Sequence, residues 1–261
     1  MMEESKANGP GREKVLPYQD VFQRYEKKYL LTPAQYEGLL APLTARMKPD
    51  HLGESVIRNL YFDTPDYRLI RASLEKPVYK EKLRLRCYGM PEGQSPAFVE
   101  LKKKYKGVVF KRRVSMPLAQ AEDYLLRGRS PDKDGQIIRE INWFMQYYPS
   151  LAPRMFIGYH RRAFYGLQDG GLRVTFDSQI GWRTQSLRLQ AGEWGRMLLA
   201  PGQQLMEIKI PGAMPLWLAR ALGDLGIYPV SFSKYGQGFL AYQSNRYKED
   251  DEACSICSTV C

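Results

Sequence analysis

The sequence predicts an α+β fold in which a closed antiparallel barrel of about eight strands forms a tunnel and helices pack on its outer surface. Three observations lead to this prediction. Short β-rich runs recur along the chain, each run alternates charged and apolar side chains, and segments with helical apolar stripes separate them. Side chains alternate between the two faces of a strand, so the apolar faces can pack under the helices. The charged faces then point inward, towards a shared lumen.

Length and charge restrict the class of protein. The chain has 261 residues, of which 44% are hydrophobic, so it can bury the core of one large β domain. Its net charge of +11 favours anionic partners: nucleotides, nucleic acid, polyphosphate or an acidic membrane surface. No run reaches the roughly 18 apolar residues typical of a transmembrane helix. The polar N-terminus does not have the apolar stretch of a secretory signal, so we expect a cytoplasmic protein.

The composition divides the chain into three parts. Residues 1–17 are rich in Gly, Pro and charge and are expected to be a disordered lead. Residues 18–246 are expected to form one domain, and residues 247–261 a flexible tail that contains Cys254, Cys257 and Cys261. The CxxCxxxC spacing of that tail could serve a metal, but no second CxxC pair accompanies it. Exposed thiols are therefore the favoured interpretation.

The N-terminal half begins with the strand FQRYEKKYLL. Thr32, Pro33 and Gln35 then have the spacing of an N-cap, a first-turn proline and a capping-box partner, which predicts a helix to about Met47. The run VIRNLYFDT predicts a strand that ends in a turn at residues 64–66. The runs LRLRC and FVELKKK predict the next strands, with turns near residues 89–96 and at Gly107.

The C-terminal half predicts a helix from Pro117 to Gly128 and another between Pro131 and Pro149, whose buried stripe starts at Ile137. Residues 155–166 and 171–177 predict a strand pair, residues 182–200 a strand and a loop, and LMEIKIPG a further strand. A helix should then end at Gly226 and a last helix near Arg246.

Charged residues fall in one phase on six of these strands. The in-phase sets are Arg24, Glu26 and Lys28; Arg84 and Arg86; Glu100, Lys102 and Lys104; Tyr159 and Arg161; Arg173 and Asp177; and Glu207 and Lys209. A single RxR or KxK is usually a solvated face, and each glutamate could simply pair with a neighbouring lysine. Six strands with the same pattern favour a built site.

Cations gathered in one lumen repel each other unless an anion lies among them. Arg binds phosphate oxygens through two parallel hydrogen bonds and Lys adds point charge, so the predicted ligand is a chain of phosphates. Glu26, Glu100 and Glu207 would repel that ligand unless Mg²⁺ or Mn²⁺ bridges carboxylate and phosphate. This combination indicates phosphoryl transfer, which needs no protein nucleophile.

Eight motifs make the chain resemble a known family. It is similar to the catalytic domain of the vacuolar transporter chaperone complex, a polyphosphate polymerase in the triphosphate tunnel metalloenzyme superfamily. The motifs occur in the family's order: RYEKKY (24–29), YFDT (61–64), LRLRCYG (83–89), VELKKK (99–104), GYHRR (158–162), VTFD (174–177), MEIKI (206–210) and FSKY (232–235).

The resemblance implies a tunnel that binds ATP and a divalent metal, Mn²⁺ or Mg²⁺, and that transfers the γ-phosphate to inorganic polyphosphate with release of ADP. It assigns phosphate contacts to Lys28, Arg84, Arg86, Lys102, Arg161, Arg173 and Lys234, orientation of these groups to Tyr159, and metal ligation to Glu207. Substrate contacts of Glu26, Glu100, Lys104, Lys111, Lys209 and Ser233 complete the expected site.

The first motif of this chain differs from that of hydrolytic tunnel enzymes, and the difference affects the expected reaction. Those enzymes begin with ExExK, whereas Arg24 stands at the first Glu position here. One carboxylate fewer should weaken a second metal site, which is one way to activate water. We therefore expect phosphate rather than water as the nucleophile. A tunnel triphosphatase, or a non-catalytic module that binds polyphosphate or RNA, remains the alternative; sequence-specific nucleic acid binding is not expected, and a separate membrane partner is.

Overall fold

The computed structural model describes residues 25–131 and 134–258, with the backbone alone for residues 247–258. The predicted lead of residues 1–17 and Arg24 lie outside the described residues.

Strands and helices both contribute to the described chain, which confirms the predicted α+β class. The strands are β1 (Tyr25–Leu31), β2 (Met47–Asp63), β3 (Tyr79–Tyr88), β4 (Pro96–Tyr105), β5 (Val108–Pro117), β6 (Ala152–Gly166), β7 (Arg173–Arg183), β8 (Arg196–Met197) and β9 (Gln204–Ile210). The helices are α1 (Pro33–Thr44), α2 (Arg68–Leu74), α3 (Leu118–Arg127), α4 (Gln136–Tyr147), α5 (Leu216–Asp224) and α6 (Lys234–Ser258).

All the strands belong to one antiparallel sheet, in the order β1-β9-β7-β6-β2-β3-β4-β5, with β8 beside β7. The sheet curves around a cavity, but the prediction of a closed barrel is wrong. Among the described residues, β1 and β5 are the two ends of the path and do not pair with each other. The reason is that the chain before α6 occupies the edge of β1, where the Val230 amide donates to the Lys28 carbonyl at 2.7 Å.

The outer faces of the strands are apolar and lie under helices, as predicted. Helices α3 and α4 cover the outer faces of β3 and β4, and α1 and α5 cover those of β1, β7 and β9. Helices α2 and α6 instead pack on the inner faces of β2 and β6, in a cluster that includes the lumen residues Tyr61 and Tyr159. Examples from the three clusters are Leu83, Leu101 and Phe144; Leu39, Ile208 and Leu218; and Ile70, Ile157 and Phe239. Burial of these clusters supplies the main favourable free energy of folding, and the part of the inner face that carries the charged residues lines the cavity.

Two helices differ from the prediction. Helix α2 was not expected, because its seven residues are too few for a recognisable apolar period. Its first turn is held by Asp63, whose carboxylate accepts hydrogen bonds from the Leu69 and Ile70 amides at 2.9 and 3.0 Å. Helix α6 continues to Ser258 rather than ending near Arg246. No Gly or Pro interrupts the chain after Gly238, so nothing local stops the helix there. The predicted capping box at Thr32 and Gln35 is confirmed.

Candidate active site

A cavity of about 820 Å³ lies inside the curved sheet and is completed by the start of α6. Every predicted site residue except Arg173 lines it: Glu26, Lys28, Arg84, Arg86, Glu100, Lys102, Lys104, Lys111, Tyr159, Arg161, Glu207, Lys209, Ser233 and Lys234. A second cavity of about 570 Å³, at Trp182, Trp194 and Tyr242, contains none of these residues. The larger cavity is therefore the candidate active site.

Strand register explains why these charges share one space. Lys82 pairs with Lys102, and the next inward pair along β3 and β4 is Arg84 with Glu100. Directly opposite residues point to the same face of a sheet. The intervening residue Leu83 points the other way, into the apolar cluster under α3 and α4. One register therefore places cations inside and leucines outside.

Glu100 is the buried counter-ion of the cations on the wall that β3, β4 and β5 form. The Arg84 Nε donates to its Oε2 at 2.6 Å, and the Lys111 Nζ and Arg113 Nε lie 2.7 and 3.2 Å from its Oε1. Burial alone would raise the pKa of Glu100, but Arg84, Arg86 and Lys111 hold that pKa well below its usual range. Glu100 thus orients cations towards the lumen, which agrees with the ion-pair alternative for this residue.

A second network joins β6, β7, β9 and α6 on the opposite wall. The Arg161 guanidinium donates to both oxygens of Asp177, at 2.5 and 2.7 Å. The Lys234 Nζ lies 2.5 Å from Asp177 Oδ2 and 3.0 Å from Glu207 Oε1. Burial alone would raise the pKa of Glu207, but Lys234, Lys28 and Arg161 hold that pKa well below its usual range. These side chains are held in place before any ligand binds, a property of sites that act through electrostatics.

Between the two networks the cations have few counter-ions. The Lys82 Nζ donates to the Ser233 hydroxyl at 3.1 Å. Burial, with Lys80, Lys102 and Lys28 nearby, lowers the pKa of Lys82 to about 7. Burial is also the main cause that lowers the pKa of Lys102 and Lys209. A bound polyanion would relieve this repulsion, so the centre of the lumen favours such a ligand.

Arg173 is the predicted site residue that the structure places elsewhere. Its side chain is 48% exposed and its Nη2 lies 3.4 Å from Asp50 Oδ2. The residue shares the phase of Asp177, as expected. It stands four positions before Asp177, at the start of β7, and its side chain turns to the Asp50 carboxylate. The alternation predicts the face but not the position along the tunnel, and Arg173 is not among the residues that line the cavity.

Two carboxylates are available for the implied metal. Glu26 and Glu207 both line the cavity, and the Lys28 Nζ lies 3.4 Å from an oxygen of each. Across the side chains described, in residues 25–131 and 134–246, no group of three His, Cys, Asp or Glu residues is arranged to hold a metal. Mg²⁺ is usually bound by one or two carboxylates together with substrate phosphates and water. The donor set therefore fits a metal that enters with its phosphate ligand.

Several lining residues were missed by the sequence reasoning. Lys80 and Lys82 lie on the same face of β3 as Arg84 and Arg86. The alternation of side chains along this strand, followed four residues towards the N-terminus from Arg84, would have found both. Asp177 was placed in phase but given no role, although it is fully buried against Arg161 and Lys234. Tyr61 begins the YFDT motif but was given no role, although its hydroxyl accepts from Arg84 at 3.1 Å.

The fold and the lumen together define a class of protein: a tunnel-shaped antiparallel sheet whose interior is lined by cations. A family profile described as the VTC domain matches residues 23–242, so the chain belongs to this family. The resemblance drawn from the eight motifs is thereby confirmed.

Solved structures share the fold. A proposed adenylate cyclase from Bacillus halodurans aligns with a TM-score of 0.51 and 15% identity, over 80% of this chain and 92% of that chain. A proposed adenylyl cyclase from Hippeastrum, described as having a dominant triphosphatase activity, aligns with a TM-score of 0.52 and 17% identity, over 83% of this chain and 95% of that chain. A search of curated protein sequences gives no match.

Proposed function

We propose that this protein is a metal-dependent polyphosphate polymerase that transfers the γ-phosphate of ATP to the end of a polyphosphate chain. The observation that carries the proposal is one lumen lined by cations from β1, β3, β4, β5, β6, β9 and α6, with two carboxylates on one wall. In the reaction, the bond between the γ-phosphorus and its bridging oxygen to the β-phosphate breaks. A terminal oxygen of the chain forms the new bond, and ADP leaves.

The two walls would have separate tasks. Arg84 and Arg86, next to Glu100, present guanidinium groups suited to phosphate oxygens, and Lys111 adds charge beside them. Arg161 and Lys234 would neutralise charge from the other wall, with Asp177 as their positioning residue. Glu26 and Glu207 would hold Mg²⁺ or Mn²⁺, which supplies charge neutralisation at phosphate oxygens when bound.

Hydrolysis is the second candidate. The Hippeastrum protein, which shares the fold, is described by a dominant triphosphatase activity. The same lumen would bind a triphosphate, and water would replace the phosphate chain as the nucleophile. We favour the polymerase because the described part of the lumen offers two carboxylates near Lys28 and no third, which suits one metal better than two.

Product analysis separates the candidates. Purified protein is incubated with ATP and Mn²⁺, and the phosphorus products are resolved by gel electrophoresis and ³¹P NMR. Equal amounts of ADP and newly chain-linked phosphate are expected for the polymerase. Orthophosphate without chains would show the hydrolase, and salt-sensitive binding of polyphosphate without turnover would show a binding module. Arg161→Ala should abolish the product, whereas Arg173→Ala, a change outside the cavity, should not.

The partners follow from the same proposal. ATP and inorganic polyphosphate are the proposed ligands, without sequence-specific nucleic acid, and the proposed location is the cytoplasm, beside a separate membrane partner. In the part of the chain that the structure describes, no helix is long and apolar enough to span a bilayer.

A further inference from the structure

An exposed apolar patch covers the outer face of the β3, β4 and β5 tip. We call it the hairpin patch, and its members are Val78 (63% exposed), Tyr79 (44%), Tyr105 (48%), Val108 (48%) and Phe110 (46%). Its residues are neighbours, because Tyr79 pairs with Tyr105 and Tyr105 with Val108, and the Lys106 amide donates to the Val78 carbonyl at 3.0 Å. A contiguous group of this kind indicates an interaction surface, unlike apolar residues exposed singly.

The tip projects from the rest of the fold. Lys106 and Gly107 have φ values of 46° and 87°, both in the left-handed region, which gives the two-residue turn that matches strand twist. A Cβ at Gly107 would meet no atom within 4 Å. The turn and the patch therefore extend into solvent together, with the mouth of the tunnel, at Val109 and Lys104, on the inner side.

Most of the charge around the patch is positive, although Glu75 and Glu81 flank it and Glu81 accepts from the Tyr79 hydroxyl at 2.6 Å. Residues 76–80 and 101–113 contain no Asp or Glu. Lys76 and Lys106 lie next to the apolar residues, and Lys80 and Lys104 lie on the inner side at the mouth. An apolar tip surrounded by lysines complements an anionic bilayer, since the apolar side chains enter the interface while ammonium groups contact lipid phosphates. Each lysine near such a surface adds to the attraction.

We propose that the hairpin patch docks this protein on the surface of an anionic phospholipid bilayer. In this position the tunnel mouth that Lys80 and Lys104 line faces the lipid headgroups. The docking does not depend on which reaction takes place in the tunnel, so it can hold or fail separately from the proposed function.

The test is co-sedimentation of the full chain with vesicles of phosphatidylcholine alone and of phosphatidylcholine mixed with phosphatidylglycerol. Val108→Glu removes one apolar contact and adds a repelled charge, so partition onto the anionic vesicles should fall at least about tenfold. Phe110→Ser should weaken it without adding charge. Leu216→Glu is the matched control, since Leu216 is 64% exposed on α5. Thermal melts monitored by circular dichroism show that each variant is folded.

The proposal is supported if the protein sediments with anionic vesicles, less with neutral ones, and if both patch variants but not Leu216→Glu reduce binding. It is overturned if no vesicle binds the protein. It is also overturned if Val108→Glu and Phe110→Ser bind as well as the unaltered chain, because lumen cations would then account for the binding. Concentration-dependent dimers that both patch variants abolish, without vesicle binding, would assign the patch to a second copy of this chain.

Discussion

At the scale of single residues, two buried carboxylate centres organise the lumen. Glu100 is 1% exposed and Asp177 is 0% exposed, and each holds at least two cations at distances of 2.5 to 2.7 Å. A cation fixed this way loses little side-chain entropy when it binds phosphate, because its rotamer is already set. The arrangement accounts for a cation-rich site inside a stable fold.

Arg84 and Arg173 form a matched pair for testing the site. Arg84→Ala should lower turnover at least about tenfold, as expected for the loss of roughly 1.4 kcal/mol of charged hydrogen bonding. Arg173→Ala removes the same side chain outside the cavity and should leave turnover within about twofold. Steady-state rates of ADP release measure both. Equal rates in the two variants would contradict the assignment of the lumen.

Lys82 predicts a pH dependence of ligand binding. Its pKa is about 7 in the free protein, and a bound polyanion favours the charged form. Above pH 7, binding must therefore take up a proton, and the affinity for tripolyphosphate should fall as the pH rises from about 7 to 9. Calorimetry in two buffers of different ionisation enthalpy measures the uptake. Lys82→Met should reduce the uptake; an unchanged value would exclude Lys82 as its source.

The same lysine affects stability with the opposite sign. The folded pKa of about 7 lies below the ordinary value of 10.5, so the unfolded chain binds more protons between these values. This group's contribution to the free energy of unfolding should thus increase as the pH rises from about 7 towards 10. Denaturant titrations of the unaltered chain and Lys82→Met isolate it. A pH slope that is the same in both proteins would contradict the buried position of this ammonium.

At the scale of elements, Asp63 connects three of them. This buried carboxylate ends β2, accepts from amides in the first turn of α2, and accepts from the Tyr235 hydroxyl of α6 at 2.8 Å. Tyr235 follows Lys234 directly, and its ring stacks on Tyr61 with centroids 4.6 Å apart. The position of Lys234 in the lumen therefore depends on the contacts that its neighbour Tyr235 makes with Asp63 and Tyr61.

Asp63→Asn tests this connection. The amide nitrogen of Asn would face donors, so at least one buried bond is lost and the free energy of unfolding should fall by about 2 kcal/mol. Asp66→Asn is the control, because Asp66 lies in the same turn with its side chain 59% exposed and should change stability by less than about 0.5 kcal/mol. Urea unfolding measures both changes. Equal stabilities of the two variants would show that Asp63 does not hold the elements together.

At the scale of the whole molecule, the open sheet still encloses a lumen because other parts of the chain complete its wall. Residues 229–237 line the cavity, and Val230 pairs with β1 at the edge where closure would otherwise occur. The fold thus encloses a charged lumen without a continuous ring of strand pairs. Burial of apolar side chains elsewhere in the core offsets the free energy cost of bringing the cations together.

Filling the lumen should stabilise the whole fold. At a hundredfold excess over its dissociation constant, tripolyphosphate should add about 2.7 kcal/mol and raise the melting temperature. The rise should persist when EDTA removes divalent metal, though reduced, because lysine and arginine side chains supply most of the attraction. Orthophosphate at the same concentration is the control, since it spans only part of the lumen. Equal shifts with the two anions would contradict binding along the tunnel.

The sequence by itself determined the class of fold and the chemistry of the lumen. Alternation with a period of two assigns Arg84, Lys102 and Glu207 to the charged face of their strands. A face on which cations predominate indicates a polyanionic ligand, whatever the tertiary arrangement. The capping box at Thr32 is equally local, so helix α1 followed from it.

Only the tertiary structure decided how far along the tunnel each residue stands and what it contacts. Arg173 has the right phase but reaches Asp50, Lys82 contacts Ser233 from a segment 151 positions away, and Val230 occupies the edge that would close the sheet. Phase is a property of neighbouring residues and can be read along the chain. Partners and closure depend on how distant segments meet, which the pattern within one strand does not encode.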